Sequence, residues 1–211
     1  MRVLVTAGAT WVKVDDVRIL TTVFTGNTGL RIAQGLACAG HQVTLIINTH
    51  CLPDLRAQNL RVLPFRYLDE LEAAVVKELL TNPCDAIIHS AAVSDYEIAN
   101  VYKGKIASNK KELALKLAPA PKIIKIMRKL SPRAVLVQFK LEAKSKGLLK
   151  KAYASLKKNN SDFVVANSYQ DICCRYKAYL LDKSGKAKLV SSLDQMVSAL
   201  IGQLAKCSRG K

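Results

Sequence analysis

The stretch His89–Ala107, "HSAAVSDYEIANVYKGKIA", leaves an apolar run and sets a carboxylate, Asp95, ten residues before an ammonium, Lys105. Between the run and Asp95 lie Ala91 and Ala92, small enough for backbone to approach a ligand closely. A carboxylate and an ammonium in one loop can contact a ribose hydroxyl or Mg²⁺ and a phosphate respectively; the plain alternative is a surface ion pair. A second candidate is Gly26-Asn-Thr-Gly29, which opens a helix-period run. Free N–H groups and the dipole at such a helix start favour a phosphate or carboxylate. The alternative there is tight helix–sheet packing. A dinucleotide fingerprint fits poorly, because the first strand ends at Thr6, about twenty residues before Gly26, whereas a βα loop ordinarily spans about 2–6 residues. The second strand also ends Asn48-Thr49-His50, without the acid that would hold a ribose hydroxyl.

Other chemistries find little purchase. There is no G-x-S-x-G elbow, and Gly29 is followed by Leu30 where a phosphate-binding loop would carry lysine. His41, His50 and His89 have no evident Ser or Cys partner, and His89, at a strand end, reads as a satisfied core histidine. The six cysteines show no CxxC or Cys/His spacing for zinc. No secretory pattern opens the chain and no apolar run approaches the ~20 residues of a membrane span. The expectation is a cytoplasmic protein with reduced thiols and no membrane partner.

The elements that must position these groups follow from hydrophobic periodicity. Apolar runs predict strands at Arg2–Thr6, Val43–Asn48, Leu60–Pro64, Ala86–Ser90, Ala134–Phe139 and Phe163–Ala166, mostly apolar throughout, as in strands covered on both faces. Helix-period segments lie between them at Leu30–Ala39, Leu68–Leu80, Lys122–Leu130 and Leu148–Lys158, with Pro121 at the start of the third, where proline is tolerated. Near the C-terminus, "RYKAYLLDKSGKAKLVSS" predicts two strands around a Lys-Ser-Gly turn, then a closing helix near Leu193–Leu204. The alternation predicts one α/β domain over residues 1–211: a Rossmann-like, doubly wound, mostly parallel sheet with a C-terminal β-hairpin appendage. Ligands of such sheets bind beyond the carboxyl ends of the strands.

Charge is concentrated. Of 33 Lys/Arg, 17 fall within residues 101–160, which hold only Glu112 and Glu142 as acids. That segment attracts polyanions, whether nucleic acid, an acidic surface or phosphorylated small molecules. Only Tyr102, Phe139 and Tyr153 interleave it, few aromatics for a single-strand nucleic-acid platform.

Several stretches together resemble phosphopantothenate–cysteine ligases of coenzyme A biosynthesis. The family's "TAGGT…ID.VR.ITN.SSG..G" is similar to "TAGATWVKVDDVRILTTVFTGNTG", meeting it at Thr6-Ala7-Gly8, Thr10, Asp15, Val17-Arg18, Gly26 and Gly29. Its "AAV.DY" and following "K-I" resemble Ala91–Tyr96 and Lys105-Ile106; "ELALKLAPAPKII" resembles the segment leading to its proline, here Pro121; "FKLEA" and "SDFVVAN" resemble later strand ends. The match keeps its order to about residue 170. The resemblance is to the stand-alone form, without the flavin-dependent decarboxylase domain. It departs at Thr22, where the family has Asn; at Phe24-Thr25-Gly26 for "SSG"; at "QFKLEA" for "GFAAET"; and at Ser155 and Asn159, where the family carries lysines.

What the resemblance implies is a ligase joining phosphopantothenate to cysteine, with CTP or ATP as co-substrate and Mg²⁺ as cofactor, working as a homodimer. Catalytic roles fall to Lys105, Thr22 and Arg18. The nucleotide falls to Ala91, Ala92, Asp95, Lys105, Pro121, Phe139 and Lys158, with Asp95 on the ribose and Phe139 on the base. The phosphopantothenate falls to Gly8, Thr10, Arg18, Thr25, Gly26 and Gly29. Two other readings stand beside this one: an inactive or repurposed ligase-like protein, and a basic nucleic-acid-binding α/β protein.

Overall fold

The structure, a computed structural model, describes residues 1–51, 58–109, 111–174 and 176–209. In chain order its elements are β1 (Arg2–Ala7), β2 (Val12–Lys13), β3 (Ile19–Leu20), α1 (Asn27–Cys38), β4 (Gln42–Asn48), β5 (Leu60–Phe65), α2 (Leu68–Thr81), β6 (Ala86–His89), β7 (Tyr96–Ile98), β8 (Leu117–Pro119), α3 (Ile123–Leu130), β9 (Val135–Glu142), α4 (Leu148–Lys158), β10 (Phe163–Ser168), α5 (Tyr169–Cys174), β11 (Ala178–Asp182), β12 (Ala187–Val190) and α6 (Leu193–Arg209).

Six strands run parallel in the order β5-β4-β1-β6-β9-β10, the doubly wound arrangement the apolar runs predict. Their pleat sends alternate residues to opposite faces. Val3, Val5, Leu45, Ile47, Ile88 and Val137 pack beneath α1 and α6, whereas Leu4, Ile46, Ile87 and Leu136 pack beneath α2 and α3. On the latter face α4 covers Val164 and Ala166. The C-terminal hairpin β11–β12 is joined to the sheet, pairing antiparallel with β10 and extending the sheet to eight strands. Its turn is held by Asp182, whose Oδ1 accepts the N–H groups of Ser184 and Lys186, and by Gly185 at φ +84°.

Boundaries differ from expectation where backbone pairing outruns side-chain pattern. β9 and β10 extend each other through Ala166↔Lys140, Asn167↔Leu141 and Ser168↔Glu142, so both continue past the apolar residues that predicted them. α1 begins at Asn27 rather than Leu30, since Asn27, Thr28 and Gly29 add a turn that carries no apolar periodicity.

Chain order reverses between β1 and β6: from β1 the chain moves to β4 and β5, then returns to β6 on the other side. This switch point opens the crevice where such sheets bind ligands. Above it sit two short ribbons, β2–β3 and β7–β8, that no periodicity could announce at two or three residues each. Val12, Val14, Ile98 and Ile106 form a small apolar cluster joining them, with Tyr102 packed against it.

Candidate functional site

The first wall of the crevice is the long excursion after β1. Gly8 and Gly26 both have positive φ, +85° and +84°, and their backbones touch: a Cβ on Gly26 would lie 2.7 Å from the Gly8 nitrogen. Gly29 answers to packing, because its Cβ would meet Ser90 Oγ at 2.3 Å and Ala7 Cβ at 2.6 Å. The helix start itself stays open. No side chain caps α1, no acid occupies its first turn, and Thr25 beside Gly26 is exposed. Thr10 is buried: its hydroxyl accepts the Ser94 N–H at 2.9 Å and its own N–H donates to Ala92 O. Ala92 N–H in turn donates to Gly8 O at 2.9 Å. Gly8, Thr10 and Ala92 thus close the two loops over the switch point through backbone. Thr22 is exposed beside Thr21, whose hydroxyl donates to Thr10 O.

Asp15, buried to 1% exposure, organises the next layer. Its Oδ1 accepts the N–H groups of Val17 and Arg18; its Oδ2 accepts the Ile106 N–H at 3.0 Å and pairs with the Arg18 guanidinium. Arg18 also donates to Ile106 O at 3.2 Å, and Asp16 exchanges backbone and side-chain bonds with Gly104. Burial opposes the charged form of Asp15, but the donors from Ile106, Val17 and Arg18 outweigh it and hold its pKa at about 2. The consequence reaches the predicted catalytic lysine. Lys105 is exposed and sits between two residues, Gly104 and Ile106, both clamped to the Asp15–Arg18 turn.

The second wall forms a pocket of about 410 Å³ beyond the carboxyl ends of β6 and β9. It brings together Ala91, Asp95, Pro121, Phe139 and Lys158, and adds Lys122, Lys125, Gln138, Lys140, Ser155 and Asn159. Ala92 and Lys105 do not line it. Asp95 pairs with Lys122 at 2.5 Å, both largely exposed. Pleat parity decides the rest: Gln138 and Lys140 share the face of Leu136, while the Phe139 ring packs with the cluster on the opposite face. Phe139 therefore borders the pocket without turning its ring squarely into it. His89 lies at the base of the pocket with Nδ1 2.7 Å from Thr6 Oγ1, and burial pushes its pKa down to about 4, keeping it neutral. Among the described residues no three His, Cys, Asp or Glu side chains cluster to hold a metal. Asp95 is the one carboxylate among the residues lining the pocket, and a Mg²⁺ in a nucleotide site is carried mainly by the phosphates and water.

The added pocket residues were legible only in part. A buried glutamine within an apolar strand is a signal that the run Val135–Phe139 contains; Lys122 and Lys125 merge into a lysine-rich stretch that carries no such mark.

A parallel sheet wound in this order, with small-residue loops over its switch point and a basic pocket beside them, defines an α/β protein of the Rossmann-like, doubly wound architecture. The chain belongs to the family described as the DNA/pantothenate metabolism flavoprotein C-terminal domain, whose model matches residues 1–201. It is 36% identical over 169 residues to the coenzyme A biosynthesis bifunctional protein CoaBC of Thermococcus kodakarensis, covering 79% of this chain and 41% of that protein. With phosphopantothenate–cysteine ligase 1 of Arabidopsis thaliana it shares 37% identity over 108 residues, 49% of this chain and 33% of that one. The chain spans about half the length of the curated CoaBC relatives from Methanocaldococcus jannaschii and Borreliella burgdorferi, at 50% and 48%. Among solved structures, the DNA/pantothenate metabolism flavoprotein from Streptococcus pneumoniae superposes with a TM-score of 0.88 at 27% identity, over 98% of this chain and 99% of that one. A mutant Cab2 in complex with phosphopantothenate-cysteine shares the fold, with a TM-score of 0.83 at 18% identity over 99% of this chain and 88% of that one.

Proposed function

We propose that residues 1–211 act as a single ligase-like domain that joins 4′-phosphopantothenate to cysteine in coenzyme A biosynthesis, using CTP or ATP. The observation carrying this reading is the pocket beyond β6 and β9. It gathers a ribose-competent carboxylate, Asp95, and four lysines, Lys122, Lys125, Lys140 and Lys158, next to the switch-point crevice. Membership in the family and the names of its relatives support the same chemistry.

A carboxylate is a poor electrophile and must be activated. Its oxygen attacks the α-phosphorus of the nucleotide; the bond to the β-phosphate oxygen breaks, and pyrophosphate leaves. The cysteine amine then attacks the acyl carbon, the bond to the nucleotide oxygen breaks, and the nucleoside monophosphate departs as the amide forms and the amine proton passes to solvent. Two polyanions must meet, so the demand is charge stabilisation. Lys105, held by the Asp15–Arg18 turn, meets the developing charge at the α-phosphate from the crevice side. Lys122 exchanges Asp95 for phosphate, freeing Asp95 for the ribose; Lys158 is a further phosphate contact. Mg²⁺, when bound with the triphosphate, supplies charge neutralisation for the leaving pyrophosphate.

The phosphopantothenate phosphate takes the open start of α1 at Gly26 and Thr25, with Gly29 letting the helix approach the sheet and Arg18 and Thr22 on the carboxylate side. Gly8, Thr10 and Ala92 shape that seat through backbone. A homodimer fits the exposed apolar residues Val17, Val23, Leu113 and Leu117, and the proposed reaction is one of the cytoplasm. No described helix is long and apolar enough to cross a membrane.

The test is to incubate the protein with phosphopantothenate, cysteine, Mg²⁺ and either CTP or ATP and follow pyrophosphate. Release that requires phosphopantothenate, with a matching yield of nucleoside monophosphate once cysteine is added, is expected. Silence with both nucleotides would overturn the proposal; release without amide formation would mark a repurposed, half-competent enzyme.

A further inference from the structure

A second cavity, of about 400 Å³, lies between the first turn of α2 and the strands β2 and β7. It shares no lining residue with the pocket beyond β6 and β9, and its size suits a small molecule. Val12, Leu68 and Ile98, all buried, give it an apolar floor. Two aromatic rings form its corner: Trp11 and Tyr67 stand edge to face, with centroids 6.0 Å apart and planes at 83°. Trp11 is fixed there, since its backbone N–H donates to Arg66 O at 2.8 Å and its ring also meets His50 at 5.7 Å. Tyr67 already attracts one cation, the Arg66 guanidinium 5.9 Å from its centroid, and Arg66 does not line the cavity.

The charges around this corner contrast with the rest of the protein. Three charged residues line the cavity, namely Lys13, Asp69 and Glu97. Lys13 is committed to Asp16 at 2.9 Å, and Arg66 beside the corner pairs with Glu70 at 4.0 Å. Among the described residues Glu97 has no ion-pair or side-chain hydrogen-bond partner, and Asp69 accepts only the N–H of Glu70 at 2.9 Å. Two carboxylates without a cation therefore line one aromatic cavity, in a chain whose net charge is +17. Solvated surface acids are the plain alternative, but that reading leaves the paired rings and the apolar floor beneath them unexplained.

From this we infer that the cavity is a binding site for an organic monocation, an ammonium group held between the rings and the two carboxylates with a short apolar body over Val12 and Ile98. Aromatic faces attract ammonium groups through their quadrupole, most strongly at tryptophan. An anion would be repelled by Asp69 and Glu97, and a neutral molecule would gain from the floor alone. The same chemistry can arrive as a free amine or as a lysine side chain of a partner protein. The site goes beyond the ligase reading and does not depend on it.

Trp11 is the only tryptophan of the chain, so its fluorescence reports on the cavity directly. The whole protein, without nucleotide or phosphopantothenate, is titrated with choline, propylammonium, a lysine peptide blocked at both ends, and 3,3-dimethyl-1-butanol, the uncharged isostere of choline. Saturable changes with the cations are expected, with the isostere binding at least about 10-fold more weakly than choline. Glu97→Gln and Asp69→Asn should each weaken the cations several-fold and leave the isostere unchanged. Followed by calorimetry, Trp11→Phe, which keeps a ring, should bind the cations better than Trp11→Leu. Tighter binding of the blocked peptide than of propylammonium would support a protein partner as the source, and the reverse order a free amine. Equal affinity for choline and its isostere, cation affinity unchanged in both acid variants, or no saturable response to any cation would overturn the inference. None of these results bears on the ligase reading, which pyrophosphate release tests separately.

Discussion

The Asp15 carboxylate accepts the backbone N–H of Ile106 at 3.0 Å across 91 positions of sequence. Through that bond a buried acid in the excursion after β1 fixes the loop that presents Lys105. Asp15 is a positioning residue, and Lys105 is its output. Lys105→Ala is expected to lower kcat by roughly 10²-fold or more, the scale of a lost transition-state donor. Asp15→Asn should lower kcat about 10- to 10²-fold with little change in the KM for nucleotide, because misplacement by ~1 Å costs this much. Equal loss in KM and kcat, or full turnover in Lys105→Ala, would contradict the assignment.

The same acid predicts a pH dependence. The pKa of Asp15 lies at about 2 in the folded protein, below the ordinary carboxylate value. The folded state therefore holds the proton less tightly than the unfolded chain does. The stabilisation is complete above about pH 4 and disappears as pH falls through about 2. Thermal melts between pH 2 and 5 should show a steeper acid decline in the native protein than in Asp15→Asn.

Asp95 and Lys122 form an exposed pair, and such pairs are worth only about 0–1 kcal/mol. A triphosphate can displace the carboxylate at little cost. Asp95→Asn is expected to raise the nucleotide KM several-fold with kcat changed less, and Lys122→Ala to weaken nucleotide binding. Titration of nucleotide into both variants checks this directly.

Gly29→Ala drives a methyl to 2.3 Å from Ser90 Oγ and 2.6 Å from Ala7 Cβ, in a helix–sheet contact that cannot open. Overpacking of this kind costs about 1–3 kcal/mol, and a melting temperature lower by several degrees is expected. Gly40→Ala is the useful comparison. Gly40, unlike Gly29, has positive φ, at +84°, and meets nothing within 4 Å, so only conformational strain is added there.

His89 is held neutral by burial with a pKa of about 4. Its depressed value means the unfolded chain takes up the proton first, so stability falls as pH drops from about 6.5 toward 4. Ring-nitrogen chemical shifts should stay those of neutral imidazole down to about pH 5. A midpoint near 6.5 would show the ring to be solvated and would reopen it as a proton-transfer group.

Much of the scaffold follows from residue order alone. The Val/Ile/Leu runs at 2–6, 43–48 and 86–90 must be covered on both faces, and such strands alternating with helices leave few topologies open. Asp95 and Pro121 could be singled out because motif residues keep their order along the chain, and Lys158 because it adjoins positions where the resembled family carries lysines; all three line one pocket. The glycines show the boundary of that reasoning. Gly26 and Gly29 look alike in sequence, yet Gly26 caps a helix at positive φ against the Gly8 backbone, while Gly29 sits within the helix and packs on Ser90 and Ala7.

Sequence by itself determined the composition of the sheet, its mostly parallel winding and the carboxyl edge where chemistry would sit, because burial on two faces is written in local periodicity. Tertiary structure alone decided which side chains share a cavity. It turned the Phe139 ring to the far face and Gln138 to the near one, tied Arg18 and the Lys105 loop to Asp15, and set Ser155 and Asn159 beside Gln138. Those relations depend on pleat parity and on bonds between residues tens of positions apart, and neither quantity has a local signature in the chain.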